Sequence, residues 1–154
     1  WSGAVAICRQ FGDKSRLPTH LYSLSRVLFA LGRTQEADAL VNESIALGIK
    51  LGFGYELGRA YSEHAHQLST SGKLEEAART LELAHKALEG AVRLQVGDRM
   101  AALVQHIDIE LKLGRQERAR ELSRSLVVIA DQPGPYWLSE SVIEGVAKAR
   151  AMLK

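Results

Sequence analysis

Five histidines are the residues best suited to chemistry in this chain, because imidazole binds transition metals and exchanges protons near neutral pH. His64 and His66 lie two residues apart, so on a helix they point in different directions and cannot chelate one ion together. His106 follows His64 by 42 residues, which gives the two equivalent places in a longer pattern. The histidines are expected to pack between helices or lie on the surface, and we predict no metal site and no cofactor.

Motifs for catalysis are missing from the sequence. The run SGKL from Ser71 to Leu74 superficially resembles a phosphate-binding loop, but no Ser or Thr follows its lysine, and Gln67 stands where that loop requires glycine. The single cysteine, Cys8, cannot form an internal disulfide and lies among apolar residues, which is typical of a buried thiol. No nucleophile elbow, paired-carboxylate motif or dinucleotide fingerprint occurs. We therefore expect a protein that is not an enzyme.

A six-residue turn occurs three times and organises the chain. In each copy a basic residue follows a glycine, and an alanine stands five positions after that glycine. The copies begin at Gly32, Gly72 and Gly114, so they lie 40 and 42 residues apart. Each copy lies between two stretches in which apolar residues recur at the three- and four-residue spacing of a helix. Repeats of this length indicate stacked helical hairpins, which bury their apolar faces only against neighbouring hairpins.

The repeat predicts an all-α protein in one domain of 154 residues. We expect about eight antiparallel helices: a partial hairpin at 1–12, repeats at 18–52, 54–90 and 98–130, and a terminal helix at 135–153. Residues 91–99 alternate like a strand, but a lone strand among helices would have no partner, so a loop or helix end is expected there. A run rich in proline and glycine at 131–135 separates the last helix from the array.

Small residues fall in register in the first two repeats when the repeats are aligned on their glycines, whereas the third repeat has larger apolar residues at two of these places. In the first helix of each hairpin the register places Ser25, Ala65 and Ile107 seven residues before the glycine. In the second helix it places Ala37, Ala77 and Ala119, and seven residues later Ser44, Ala84 and Leu126. Two helix axes approach to about 8–10 Å only where side chains are short. This pattern over residues 18–130 resembles the tetratricopeptide repeat (TPR), which implies a right-handed superhelix of helical hairpins.

The repeat is longer than the usual TPR of about 34 residues, and HEAT or armadillo repeats of about 40–47 residues are the structural alternative. We favour the TPR because of its glycine-basic turn. The long helices resemble arrays in bacterial signalling proteins, including LuxR-type transcription activators with a STAND ATPase. That resemblance implies a non-enzymatic scaffold that binds a protein or peptide within a regulatory protein. A small-molecule effector-sensing domain of a LuxR/MalT-type transcriptional activator is the alternative.

The resemblance also implies where a ligand would bind, because the first helix of each TPR hairpin lines a concave groove. Carried over by register, the groove positions hold Thr19, Tyr22, Arg26 and Phe29, then Arg59, Ser62, His66 and Ser69, and finally Ala101, Val104, Asp108 and Leu111. Cationic side chains beside aromatic rings would suit an extended peptide or a small polar ligand. An ordinary solvated helix face would have the same mixed composition.

Composition restricts the partners. A net charge of +2, from 20 basic and 18 acidic residues, provides little field to attract nucleic acid, so we predict no direct nucleic-acid binding. No signal peptide or membrane-spanning stretch is recognisable, and we expect a cytoplasmic protein without membrane contact. Because the chain begins at Trp1 inside an apparent helix, we expect a piece of a larger polypeptide with flanking domains. The apolar terminal residues are predicted to continue into further repeats or to mediate self-association: Trp1, Val5, Ile7, Tyr136, Trp137, Val142 and Ile143.

Overall fold

The computed structural model describes residues 1–89, 96–132 and 138–154, and within these ranges it contains eight α-helices and no strand. The helices are α1 (Ser2–Phe11), α2 (Leu17–Ala30), α3 (Thr34–Leu51), α4 (Gly54–Thr70), α5 (Leu74–Leu88), α6 (Val96–Lys112), α7 (Gln116–Ala130) and α8 (Glu140–Met152). The predicted all-α class is confirmed. None of the described helices combines the length and the apolar character that crossing a bilayer requires.

The helices pack as three hairpins in a row. The pairs α2–α3, α4–α5 and α6–α7 form the most extensive contacts, and each pair is joined by a short turn. Consecutive hairpins meet through α3–α4 and α5–α6, while the first helices of the hairpins contact one another through α2–α4 and α4–α6. At the ends of the row, α1 packs on α2, and α8 packs on α6 and α7. The first helices therefore form one side of a continuous array.

The third hairpin starts slightly earlier than predicted, since a loop or helix end was expected over residues 91–99 and the repeat was expected to begin at residue 98. Residues 90–95 lie outside the described part of the chain, as do 133–137 in the predicted breaker run. Val96 to Arg99, however, form the first turn of α6. Asp98 favours this earlier start, because a carboxylate in the first turn of a helix interacts well with the positive end of the helix dipole.

The recurring glycine has a defined conformational role in all three turns. Gly32, Gly72 and Gly114 adopt left-handed φ angles of 76°, 81° and 74°, which residues with a Cβ rarely adopt. After α2, the Gly32 N–H bonds to the Phe29 carbonyl at 3.0 Å, and the Arg33 N–H bonds to the Leu28 carbonyl at 2.9 Å. These two bonds satisfy carbonyls at the end of the helix, as in a Schellman motif. The same pair of bonds closes the other two turns.

The residues predicted to lie between the two helices of each hairpin are all buried. They are Ser25, Ala65, Ile107, Ala37, Ala77, Ala119, Ser44, Ala84 and Leu126. The two serines satisfy their hydroxyls inside the hairpin, because Ser25 Oγ donates to the Ala37 carbonyl and Ser44 Oγ donates to the Pro18 carbonyl, each at 2.8 Å. Serine is thus tolerated at these buried positions as a small residue whose polar group has a partner.

The apolar core runs along the array instead of closing within each hairpin. Ala102 and Ile109 of α6 belong to the cluster formed by α4 and α5, so the third hairpin completes the core of the second. A further cluster joins α6 and α7 to α8 through Val142 and Val146. At the other end Cys8 is buried in a cluster with residues of α1 and α2, which confirms the prediction of a buried thiol. Each hairpin depends on its neighbour for burial.

Two glycines allow neighbouring helices to approach more closely than a residue with a side chain would permit. A Cβ added at Gly58 of α4 would lie 2.5 Å from Leu88 Cγ of α5. A Cβ added at Gly145 of α8 would lie 2.4 Å from Val104 Cγ2 of α6. Both separations are shorter than van der Waals contact, so even alanine would force the Leu88 or Val104 side chain, or the helix that carries it, to shift.

The replacement Gly58→Ala tests this packing. Alanine should gain up to about 1 kcal/mol in helix propensity but lose about 1–3 kcal/mol through overpacking against Leu88, so we expect a net loss of about 1 kcal/mol in the free energy of unfolding. Urea denaturation measures it. Gly3→Ala in α1 is the control, because nothing lies within 4 Å of its added Cβ. Equal stability of the two variants would show that the α4–α5 contact tolerates the extra methyl group.

Candidate binding groove

A polar cleft of about 210 Å³ lies along the first helices of the three hairpins. Its lining side chains come from α2, α4 and α6: Tyr22, Arg26, Arg59, Ser62, Glu63, His66, Asp98, Ala101, Ala102 and Gln105. We call this cleft the groove. Six of the residues predicted for the concave face therefore line one cleft: Tyr22, Arg26, Arg59, Ser62, His66 and Ala101. They meet because α4 contacts both α2 and α6.

Arg59 lies at the centre of the groove and is held by three neighbours. Its guanidinium carbon lies 5.0 Å from the centre of the Tyr22 ring and 5.7 Å from the centre of the Tyr55 ring. Both separations fall within the range of a cation–π interaction. Its Nε also lies 3.8 Å from Asp98 Oδ1, in a long ion pair. These contacts connect the three hairpins through one side chain, since Tyr22, Arg59 and Asp98 belong to α2, α4 and α6.

Asp98 also accepts a hydrogen bond from the Tyr55 hydroxyl. Burial raises the pKa of Tyr55 to about 12, and the bond to the carboxylate adds to the rise because it favours the protonated phenol. Burial likewise raises the pKa of Tyr22, against the opposing effect of the Arg59 charge. Both phenols are therefore protonated at neutral pH, and Tyr55 can act as a fixed donor to Asp98.

The side chains left available for a ligand lie beside this fixed centre. Arg26 and His66 are exposed, whereas the Tyr22 ring is only 4% exposed. Ser62 Oγ donates to the Gly58 carbonyl at 3.0 Å, so its lone pairs can still accept a hydrogen bond. Gln105 Nε2 contacts the Ser62 carbonyl at 3.4 Å, a long bond that a better acceptor could replace. The groove thus offers cationic donors together with amide and hydroxyl groups.

Not all predicted positions line this cleft. Phe29 is half-buried and packs edge-on against the His66 ring at 6.2 Å between centres, but it faces a neighbouring cleft that contains His64 and Asp38. There, His64 Nε2 lies 3.4 Å from Asp38 Oδ1, and burial lowers the pKa of His64 despite that carboxylate. Among the other predicted positions, Thr19 and Ser69 are half-buried outside the groove lining, and Asp108 is exposed outside it.

Val104 has a packing role that the repeat register did not predict. It is half-buried beside the core cluster of the third hairpin, and Gly145 of α8 closes onto it. Leu111 packs against the same cluster. The register assigned both to the concave face because it compared the hairpins alone, whereas α8 covers this part of α6. The third hairpin therefore contributes its groove side chains from the first half of α6.

Four polar residues at the groove were missed by sequence reasoning: Tyr55, Glu63, Asp98 and Gln105. Asp98 stands three residues before Ala101, so extending the predicted row by one helical turn would have included it. The interpretation of 91–99 as a loop prevented that step. Gln105 and Glu63 lie next to the predicted row, each nine residues before its turn glycine, which indicates that the groove is wider than one row of side chains.

Comparison with known proteins gives a fold likeness only. No protein-family model matches the chain, and no curated protein sequence matches it. A solved structure from Podosopora anserina, described as a kinesin light chain with nearly identical TPR-like repeats, has a TM-score of 0.71 and 20% identity, and the match covers 99% of this chain and 75% of the other. The chain has a TPR-like fold. A variant structure of the same protein matches with a TM-score of 0.72 at 20% identity, over 99% of this chain and 74% of the other.

The link between α4 and α6 can be measured by a double-mutant cycle on Tyr55→Phe and Asp98→Asn. A hydrogen bond to a partly exposed carboxylate should give a coupling free energy of about 1 kcal/mol, measured as free energies of unfolding in urea. The control cycle pairs Tyr55→Phe with Asp108→Asn, because Asp108 lies on the same helix outside the groove lining. Additive effects in both cycles would mean that the bond does not stabilise the array.

Proposed function

We propose that this chain is a non-enzymatic interaction scaffold that binds an extended peptide segment of a protein partner in the groove. The proposal rests on one observation: side chains from three hairpins meet in one cleft, and Arg59, the cation at its centre, is already held in place. Because Arg59 is held between Tyr22 and Asp98, little side-chain entropy is lost there on binding. Exposed Arg26 then supplies a charge-assisted hydrogen bond to an acidic side chain or carboxylate of the peptide.

The shape of the groove favours a peptide over a small-molecule effector. Pockets for small ligands usually enclose about 300–1,000 Å³ and are mostly apolar. The groove is smaller, at about 210 Å³, and charged, amide and hydroxyl groups share its lining with apolar surface. An extended peptide can cross such an open cleft and continue along the array. The alternative, effector sensing in a LuxR/MalT-type activator, would be supported by a thermal shift with sugars or metabolites.

We place this scaffold in a cytoplasmic bacterial regulatory or signalling protein, where flanking domains would respond to binding. The domain itself would not contact nucleic acid. Terminal helices could provide contacts within a larger array or between copies, because Ile7 and Phe11 are 58% and 75% exposed on α1, and Ile143 is 57% exposed on α8. Tyr136 and Trp137, which were predicted to join this surface, lie outside the described residues.

A displayed library of random linear peptides tests the groove directly. Peptides selected on the chain should be enriched in acidic residues, and Arg26→Ala should weaken the selected peptides about tenfold, the loss of one charge-assisted contact. Isothermal titration measures the affinity. Arg120→Ala is the matched control, because Arg120 is an exposed arginine on α7 that pairs with Glu117. Arg59 is left intact in this test, since it holds the groove together.

The location of the bound peptide decides between the outcomes. Amide chemical shifts should change along α4 and α6, around Ser62 and Gln105. Peptides that bind Arg26→Ala and Arg120→Ala equally, and that perturb other surfaces, would contradict groove binding.

A further inference from the structure

A polar cluster lies where the second hairpin meets the third, on the face of α6 next to the groove face. It contains the half-buried His85 of α5 and the buried His106 and Glu110 of α6. His106 is 0% and Glu110 3% exposed, and their side chains meet at 3.2 Å between Nε2 and Oε1. The His85 Nε2 atom lies 3.0 Å from His106 Nδ1, and the two rings are nearly parallel. This histidine pair joins the two hairpins by a hydrogen bond.

Elementary hydrogen-bond rules give the order of the protons in this cluster. A carboxylate at Glu110 accepts the N–H from His106 Nε2, so His106 Nδ1 is an acceptor. His85 must then donate from Nε2, which leaves its Nδ1 without a proton. That Nδ1 atom is buried and has no hydrogen-bond partner in the described structure. The neutral cluster is therefore only partly satisfied, because two buried acceptors, His85 Nδ1 and Glu110 Oε2, have no hydrogen-bond partner in the described structure.

An added proton cannot be accommodated without loss. If both facing nitrogens carried hydrogens, the histidine pair would lose its bond and the two N–H groups would repel each other. If instead the bond is kept, the extra hydrogen resides on His85 Nδ1, which then becomes a buried donor without an acceptor. Either arrangement carries a positive charge at a site largely removed from water. Protonation and the closed contact between α5 and α6 therefore oppose each other.

Charged neighbours surround the histidine pair from three helices and do not cancel this penalty. Glu82 of α5 lies 3.9 Å from His106 Nε2, but it is bound to Arg118 of α7. The remaining charged groups near the pair are Arg79, Arg99, Glu110 and Arg115. The pKa of both His85 and His106 is lowered to about 4, chiefly by burial. The charge of His106 contributes to the lowering for His85, and Arg118 contributes for both, while Glu82 opposes it.

The cluster replaces residues that are apolar in the first hairpin. Counted from the turn glycines, His106 and Glu110 correspond to Leu24 and Leu28, and His85 corresponds to Ile45. In the second hairpin the position of Glu110 holds Leu68. Burying a histidine pair and a carboxylate is less favourable than burying these aliphatic side chains, unless the polar groups serve another purpose. The pair of histidines with a carboxylate distinguishes the joint between α5 and α6, which we call the second joint, from the preceding joint, where the equivalent places hold Ile45, His64 and Leu68.

The second joint also supports the groove. On its neighbouring face, α6 supplies Asp98 to Arg59 and Tyr55 of α4, and Gln105 to the Ser62 carbonyl. Movement of α6 away from α5 would carry Asp98 and Gln105 away from α4. The groove and the histidine pair thus both lie at the contact between the second and third hairpins.

We propose that the second joint is a proton-operated control of the groove: protonation of the His85–His106 pair separates α6 from α5 and so opens the groove on the neighbouring face of α6. The regulatory meaning of this opening rests on the proposed peptide-binding function, but the opening itself does not.

The direction of the pH dependence follows from linkage. A histidine freed from the joint takes up a proton near its ordinary pKa of about 6.5, whereas in the closed joint the pKa is about 4. Closure is therefore fully favoured above about pH 6.5 and is weakened progressively as the pH falls toward 4. For one ring, the opening equilibrium should shift about 30-fold between about pH 7.5 and about pH 5.

Hydrogen–deuterium exchange of the full chain measures the opening at the two pH values, after correction for the intrinsic pH dependence of amide exchange. Peptides from α5 and α6 should lose protection about 30-fold at the lower pH, while α2 and α3 keep theirs. The groove segment of α4 around Ser62 should lose protection with α6. Uniform loss along the whole array, or no loss in α5 and α6, would overturn the proposal.

Two variants taken from the chain's own repeats provide the controls. His85→Ile, His106→Leu and Glu110→Leu together install the residues of the first hairpin and should abolish the pH dependence at the second joint. His64→Leu removes the histidine at the equivalent place of the preceding joint and should leave the pH dependence unchanged. Retention of the acid response in the triple variant would overturn the proposal.

A second measurement covers the case in which the triple variant fails to fold. Histidine ring protons of the native chain are followed by NMR as the pH falls. The rings of His85 and His106 should titrate well below the ordinary histidine pKa of about 6.5, together with the loss of α5 and α6 protection. Titration of these two rings near pH 6.5 in the closed array would overturn the proposal. Peptide binding is measured separately. If the groove binds no peptide, the proposed function is contradicted, but the proton-dependent opening of the second joint is not.

Discussion

Close crossing of two helices at small side chains is the constraint on which the rest of this structure depends. Ser25, Ala37 and Ser44 are completely buried within the first hairpin, and alanines take these places in the second. Short side chains bring the helix axes together, and the left-handed glycine at the turn allows the chain to reverse sharply enough to form the pair. Because each hairpin still exposes an apolar face, the hairpins must stack, and stacking aligns their first helices.

Alignment of the first helices creates the groove and also determines which of its residues are structural. Arg59 connects α2, α4 and α6 through Tyr22 and Asp98, so part of the positive charge of the groove is used to hold it together. Arg26 and His66 remain exposed beside this fixed centre. A groove prepared in this way loses little conformational freedom on binding, which is the physical basis for assigning it to recognition.

The α6 helix contributes both to the groove proposed for recognition and to the contact that holds the second and third hairpins together. One face carries Asp98 and Gln105, and the neighbouring face carries His106 and Glu110. Since a helix moves largely as a rigid body, the proposed protonation on one face would displace the groove side chains on the other. Under this proposal, stability and binding are coupled through one element.

The sequence by itself determined the features that repeat along one dimension. Turn glycines, small crossing residues and the all-α class follow from periodicity, because a fixed spacing on a helix corresponds to a fixed face. The same register found Tyr22, Arg26, Arg59, Ser62 and His66. Contacts between hairpins were decided only by the tertiary structure. Tyr55 meets Asp98 across 43 residues, His85 meets His106 across 21, and α8 covers Val104. No periodicity specifies such pairs, because they depend on how one helix is placed on another.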